Sequence, residues 1–117
     1  MIYTASFFSP KDYRGRPISI ANSKPLGTAE FAGMLTCRSL VPRWSIVDDL
    51  KKGRIDWTEY TKLYLDDLIT DNVIEEVREL YSGVEDITLC CWESSPLRCH
   101  RSLAQQWLSE HGFAISR

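Results

Sequence analysis

The 117-residue chain has no apolar run of about eighteen residues, the length that a membrane-spanning helix needs. Its most apolar start, Met1 to Phe8, has no basic segment before it and is interrupted between Pro10 and Arg16, so we expect neither a signal peptide nor a membrane span. There is no low-complexity tract, no Pro/Gly/Ser linker and no internal repeat. Those absences exclude fibres, disorder and solenoids and leave one domain over residues 1–117. No Walker loop, no dinucleotide-binding glycine fingerprint and no G-x-S-x-G elbow is present. The two C-x-x-C pairs of a structural zinc site are missing as well. What remains is Cys91 with Cys99 and His100, and the adjacency of the last two is awkward for one tetrahedral ion, so no metal and no cofactor is called for.

What is present is the balance of a soluble globule, 44% apolar and 26% charged, in a chain long enough to bury a core without staples. Four cysteines in such a chain point to a reducing compartment, the cytoplasm, where thiols serve as packing, ligand or nucleophile. The net charge of −2 conceals an uneven distribution. Residues 1–44 hold six Lys/Arg against two acids, residues 45–86 five against twelve, and residues 87–117 three against two.

Periodicity gives the elements. Ile2 to Phe8 and Pro17 to Ala21 read as short strands, being rich in β-branched and aromatic residues. Leu26 to Cys37 holds at most a short helix, because Gly27 and Gly33 interrupt it. Trp44 to Lys52 suits two helical turns stopped by Gly53. Asp56 and Glu59 have the spacing of a capping box, after which Trp57, Tyr60, Tyr64 and Leu68 share one helical face. Asn72 to Ser82 is a further helix, stopped by Gly83. Ile87 to Cys91 is then a continuous apolar run, suited to a central strand buried on both faces. Trp92 to Arg98 reads as a loop, Leu103, Ala104, Trp107 and Leu108 as one face of a helix ending at Gly112, and Phe113 to Ser116 as a last strand. Strand, helix and strand in so few residues require a parallel crossover. The fold class is α/β: a small three-layer domain with a short, mostly parallel sheet flanked by helices.

The residues with chemistry gather at the carboxyl end of the central strand, where open α/β sheets bind ligands. Cys91 and Glu93 lie there, and Cys99, His100 and Arg101 open the next helix. Helix-start N–H groups, with the guanidinium forks of Arg98 and Arg101, suit phosphate or carboxylate. The same environment is expected to lower the Cys99 thiol pKa, making it the first candidate nucleophile. His100 and Glu93 suit proton transfer, and Cys91 is an alternative nucleophile or a resolving thiol. Packing is the competing reading throughout: buried cysteine is common, His100 is in phase with Leu103, Ala104 and Trp107, and Cys37 and Cys90 fit a core. A phosphatase-like loop does not fit, because six residues rather than five separate Cys91 from Arg98 and no glycine lies between them.

Leu89-Cys90-Cys91-Trp92-Glu93 followed by Cys99-His100-Arg101 resembles domain-of-unknown-function family 488 (DUF-488), whose signature is a strand ending in Leu-Cys-x-Glu and then Cys-His-Arg on a helix. Ile2-Tyr3-Thr4 with Phe7, Ile18-Ser19-Ile20-Ala21, Leu40-Val41-Pro42, Lys52-Gly53-x-Ile55, and Tyr60 with Tyr64 extend the resemblance over most of the chain. The resemblance implies an α/β, cytoplasmic protein of bacterial, archaeal or phage type. Its site would be built from Cys91, Glu93, Cys99, His100 and Arg101, with Thr4, Ser19 and Tyr64 facing it.

Three functions compete. The first is an enzyme acting on an anionic small-molecule ligand, a nucleotide or another phosphate-bearing substrate. The second is a non-catalytic module reading nucleotide or nucleic acid through the basic first sector, although the acidic middle counts against broad duplex binding. The third is a thiol- or metal-responsive protein whose acidic helices meet a partner.

Overall fold

A computed structural model describes residues 1–27, 29–70, 72–93 and 99–116. Four strands, β1 (Ile2–Ser6), β2 (Arg16–Ser19), β3 (Leu35–Thr36) and β4 (Ile87–Cys91), form one all-parallel sheet in the order β1-β4-β2-β3. Five helices complete the α/β fold: α1 (Ala29–Ala32), α2 (Trp44–Lys51), α3 (Trp57–Thr70), α4 (Val73–Leu80) and α5 (His100–Glu110). Among the described residues no helix is long and apolar enough to cross a membrane.

The unbroken apolar run makes β4 the centre. Paired with β1 on one side and β2 on the other, all five of its residues are buried. Alternation along the strand then sorts the core. Ile87 and Leu89, with Ile2 and Ile18 of the neighbouring strands, meet Ile46 of α2, Tyr60, Tyr64 and Leu68 of α3, Val73 and Val77 of α4, and Ala104 and Leu108 of α5. Burying each such aliphatic side chain stabilises the fold by about 1.5–3 kcal/mol. A second, smaller cluster holds Phe7, Ala21, Met34, Cys90, Cys91 and Cys99, against which Tyr13 and Phe31 pack. On the face of Thr88 and Cys90 the layer is thin, built from the 3₁₀ turn Pro10–Asp12, its following loop and α1. Thr88, a polar residue inside β4, is satisfied by that loop: its hydroxyl accepts from Arg14 N–H at 2.8 Å and donates to the Arg14 carbonyl at 2.7 Å.

The helix starts and stops follow local chemistry. Asp56 Oδ1 accepts the Glu59 N–H at 2.8 Å, as the capping spacing requires. Gly53, Gly83 and Gly112 take positive φ just beyond α2, α4 and α5. Two elements differ from the sequence reading. Phe113–Ser116 is no strand: it makes one isolated parallel bridge, Ile115 to Ile2, flanked by Ile2 N–H to Ala114 O and Ser116 N–H to Ile2 O, both at 2.9 Å. Gln105 Nε2 holds that tail in place by donating to the carbonyls of Ile2 and Ser116. The stretch Leu26–Cys37 contains the short α1 but also β3, whose two residues are too few to show a period.

Gly15 is the tightest backbone position. Its φ is +65°, and a Cβ there would lie 2.0 Å from the carbonyl oxygen of Asp86, the oxygen that accepts the first β2 hydrogen bond from Arg16. Gly15→Ala is therefore expected to destabilise the protein by about 2–4 kcal/mol, read as a lowered denaturation midpoint at unchanged slope. A second expectation concerns pH. The Glu76 carboxylate accepts from Ser39 N–H (2.8 Å), Ser39 Oγ (2.7 Å) and Cys37 Sγ (3.1 Å), tying α4 to the turn Arg38–Leu40. Partial burial opposes its ionisation, but these donors outweigh it and hold its pKa below the ordinary 4.5. The stabilisation is full above that unfolded-state value and is lost as pH falls through the folded one. Denaturant titrations from pH 7 to pH 3 should show wild type losing its advantage over Glu76→Gln, and a constant advantage would contradict the assignment.

Candidate active site

Because every strand is parallel, the carboxyl ends of β1, β4 and β2 meet at one edge of the sheet. Phe7 N–H reaches the Cys91 carbonyl at 2.8 Å and Ile20 N–H the Cys90 carbonyl at 3.0 Å. Cys91 is the last residue of β4, and Cys99 is the N-cap of α5 in extended conformation, φ −119° and ψ 137°. The Cys99 side chain makes no cap hydrogen bond. Its sulfur lies instead 2.8 Å from Cys91 Sγ and 3.4 Å from Glu93 Oε2. Both cysteines are free and buried.

Arg101, the second residue of α5, is 3% exposed. Its Nη1 donates to Cys91 Sγ at 3.3 Å and to the Glu93 carbonyl, so the guanidinium braces the strand end. It is not among the residues lining the cavity described below. Arg98 and the rest of the expected loop at 94–98 lie outside the described residues.

The thiol chemistry differs from the sequence expectation. A helix N-terminus was expected to lower the Cys99 pKa, and the Arg101 N–H does act in that direction, but the contact with Cys91 and burial outweigh it. Hydrogen bonding to Cys91, reinforced by burial, raises the Cys99 pKa, whereas the Cys99 hydrogen bond, helped by the Arg101 charge, lowers that of Cys91 against the opposing effect of burial. Of the two thiols, Cys91 is therefore the one that ionises more readily. Burial works against ionisation of Glu93, but hydrogen bonding to the thiol pair and to the backbone prevails and holds it below the ordinary carboxylate value.

His100 is 7% exposed and its Nε2 meets the carbonyl of Ile20. A carbonyl accepts, so Nε2 carries the proton and Nδ1 the lone pair in the neutral ring. Tyr64 sets the ring edge-on at 5.7 Å between centroids and donates its own hydroxyl to Leu40 O at 2.7 Å. Tyr64 is thus buried behind His100 instead of facing a ligand. Ser19 is also fully buried, its Oγ accepting Ala21 N–H at 3.3 Å, and Thr4 sits in β1 opposite Leu89; neither lines the cavity.

That cavity, about 460 Å³, opens over Glu93 and His100. Its apolar lining includes Trp44, Trp57, Tyr60 and Trp92, and its polar lining adds Asn22, Ser23 and Lys51. Trp57 stacks on Tyr60 at 5.1 Å, Trp92 Nε1 is fixed by the Ser23 carbonyl at 2.9 Å, and Lys51 Nζ lies 5.3 Å over the Trp44 ring. These aromatics were not singled out as site residues in the sequence. Trp57 and Tyr60 carry the same helical period as the core residues Tyr64 and Leu68, and the period alone does not tell wall from core.

Residues 13–112 match the family model DUF488-N3a, described as the active DUF488-N3 subclade. The chain belongs to the DUF488 family. No curated protein and no solved structure gives a significant match. The matched residues include Cys91, Glu93, Cys99, His100 and Arg101.

Burial holds the His100 pKa below the ordinary 6.5. Between those two values the unfolded chain binds a proton that the folded one refuses, so stability falls as pH drops through that window. Nitrogen-15 NMR should find the neutral His100 ring with its proton on Nε2 and a titration midpoint below 6.5; a midpoint at or above 6.5 would contradict the effect of burial, and a neutral ring protonated on Nδ1 the assigned bond.

Proposed function

We propose that this DUF488 protein is a cytoplasmic enzyme acting on a nucleotide or a closely related anion that carries a flat ring. The observation that carries the reading is that one cavity joins aromatic walls to two signature residues, Glu93 and His100. A ring stacked on such walls gains about 1–3 kcal/mol, and Lys51 provides a cation at the same cavity for a phosphate. Description of the matched subclade as active favours catalysis over binding alone. Four free, buried cysteines accord with a reducing compartment.

A small ligand fits better than a polymer. Several basic side chains of the first sector are engaged within the protein: Arg16 Nη1 with the Leu80 carbonyl, Lys24 Nζ with the Met34 carbonyl, and Arg43 Nε with Asp67. A continuous phosphate-binding track needs such charges directed outward.

Three tryptophans line the cavity, so nucleoside monophosphates should quench intrinsic fluorescence on binding. Trp57→Ala is expected to weaken that binding about 5–150-fold, the loss of one stacking surface. Glu93→Gln should retain binding and abolish the conversion detected by mass spectrometry of the incubated nucleotides. No quenching by any nucleotide at millimolar concentration would sink the proposal, and binding without conversion in wild type would reduce it to a binding module.

A further inference from the structure

We infer that Cys91, Cys99 and Glu93 form a site for one thiophilic divalent cation of the zinc class, with its remaining coordination position turned toward the aromatic cavity. In the sequence the residue left beside the two thiols was His100, an awkward neighbour for Cys99, and no metal was called for. The fold resolves the difficulty by sending His100 Nε2 to the Ile20 carbonyl and bringing Glu93 to the sulfurs instead. The two Sγ atoms and a Glu93 carboxylate oxygen all lie within 4.8 Å of one another.

Three arguments support a cation there. The first is rigidity: one thiol ends the central strand and the other caps α5, so the backbone, not a mobile chain, brings the donors together. Two thiolates on one tetrahedral zinc, each at about 2.3 Å, stand about 3.8 Å apart. The sulfurs at 2.8 Å therefore open by about 1 Å on loading, a side-chain adjustment.

The second argument is charge. Two thiolates and a carboxylate bring three negative charges, and a divalent cation with the Arg101 guanidinium beside Cys91 cancels them. Buried charge is tolerated when it is compensated in this way. Arg101 Nη1, at 3.3 Å from Cys91 Sγ, is then the outer-sphere donor that metal-bound thiolates commonly receive.

The third is donor type and access. Paired thiolates select zinc-like ions over magnesium and calcium, which take oxygen ligands. Three protein donors leave one position open, the pattern of catalytic rather than structural zinc. Glu93 is both a donor and a cavity-lining residue, so the open position faces the space where a substrate would sit. A water held there becomes a nucleophile near neutral pH. The use of that water rests on the functional reading above; the existence of the site does not.

The test uses the full chain, reduced and freed of metal, then titrated with cobalt(II) and with zinc. One ion per chain by elemental analysis, with a thiolate-to-cobalt charge-transfer band, is the expected result. Cys99→Ser and Cys91→Ser should each remove about half of that band. Glu93→Gln, an exposed position that leaves the core untouched, should keep the band but weaken affinity by no less than the roughly 10–100-fold that outer-sphere partners are worth. If the cysteine variants fail to fold, wild type and Glu93→Gln still decide. Reduced wild type that binds neither ion, cobalt bound without the band, or Glu93→Gln with unchanged affinity would each overturn the site. Nucleotide quenching measured in the same samples separates the two readings. A cobalt band without nucleotide binding removes the functional proposal alone, and nucleotide binding without the band removes the cation alone.

Discussion

Burial of β4 on both faces is the constraint on which the remaining architecture depends. A five-residue strand with no exposed side needs a neighbour on each edge and a layer on each face, and β1, β2, the helices and the Tyr13 loop supply them. Parallel pairing follows from the crossover connections and brings the strand ends together at one side of the sheet. Cys91 is therefore placed by the strongest part of the core. A reactive group on the last residue of such a strand inherits its rigidity, and such support is what a preorganised site requires.

The second constraint is electrostatic. Arg101 is almost wholly enclosed, and a buried guanidinium is tolerated only when acceptors surround it. Cys91 Sγ and the Glu93 carbonyl are two of those acceptors, so the same cation stabilises charge on a thiol and fixes the turn that aims Glu93 into the cavity. Arg101 thus links Cys91 and Glu93 at the end of the strand to the start of α5.

Much of this was legible in the sequence. The apolar run named the central strand, the capping spacing at Asp56 named the start of α3, and the strand-end logic together with the family signature located Cys91, Glu93, Cys99, His100 and Arg101. Roles were less legible than places. Whether Arg101 reaches outward or inward depends on the direction taken by α5, which composition does not encode. Whether a helix N-terminus lowers the pKa of Cys99 depends on its side-chain rotamer, and here that rotamer points to another sulfur. The two-residue β3 and the single bridge at Ile115 escaped because neither is long enough to establish a period.

The aromatic stripe of α3 explains why the cavity escaped as well. Trp57, Tyr60, Tyr64 and Leu68 share one face, yet they meet different surroundings as the helix descends. Leu68 and Tyr64 are covered, Tyr60 is 3% exposed at the cavity lining, and Trp57 is only partly buried beside it. The helix is continuous, but its cover is not: α2 leaves a gap with the turn after Ile20, and Trp92 closes the far side through its bond to Ser23. A stripe buried in the core along most of the helix thus becomes a cavity wall at its first turn. The stacked pair Trp57–Tyr60 is rigid for the same reason as the core pair Tyr60–Tyr64 beneath it. A flat ligand entering the cavity would therefore extend a ladder of rings already ordered by the fold, and little conformational entropy would remain to be lost on binding.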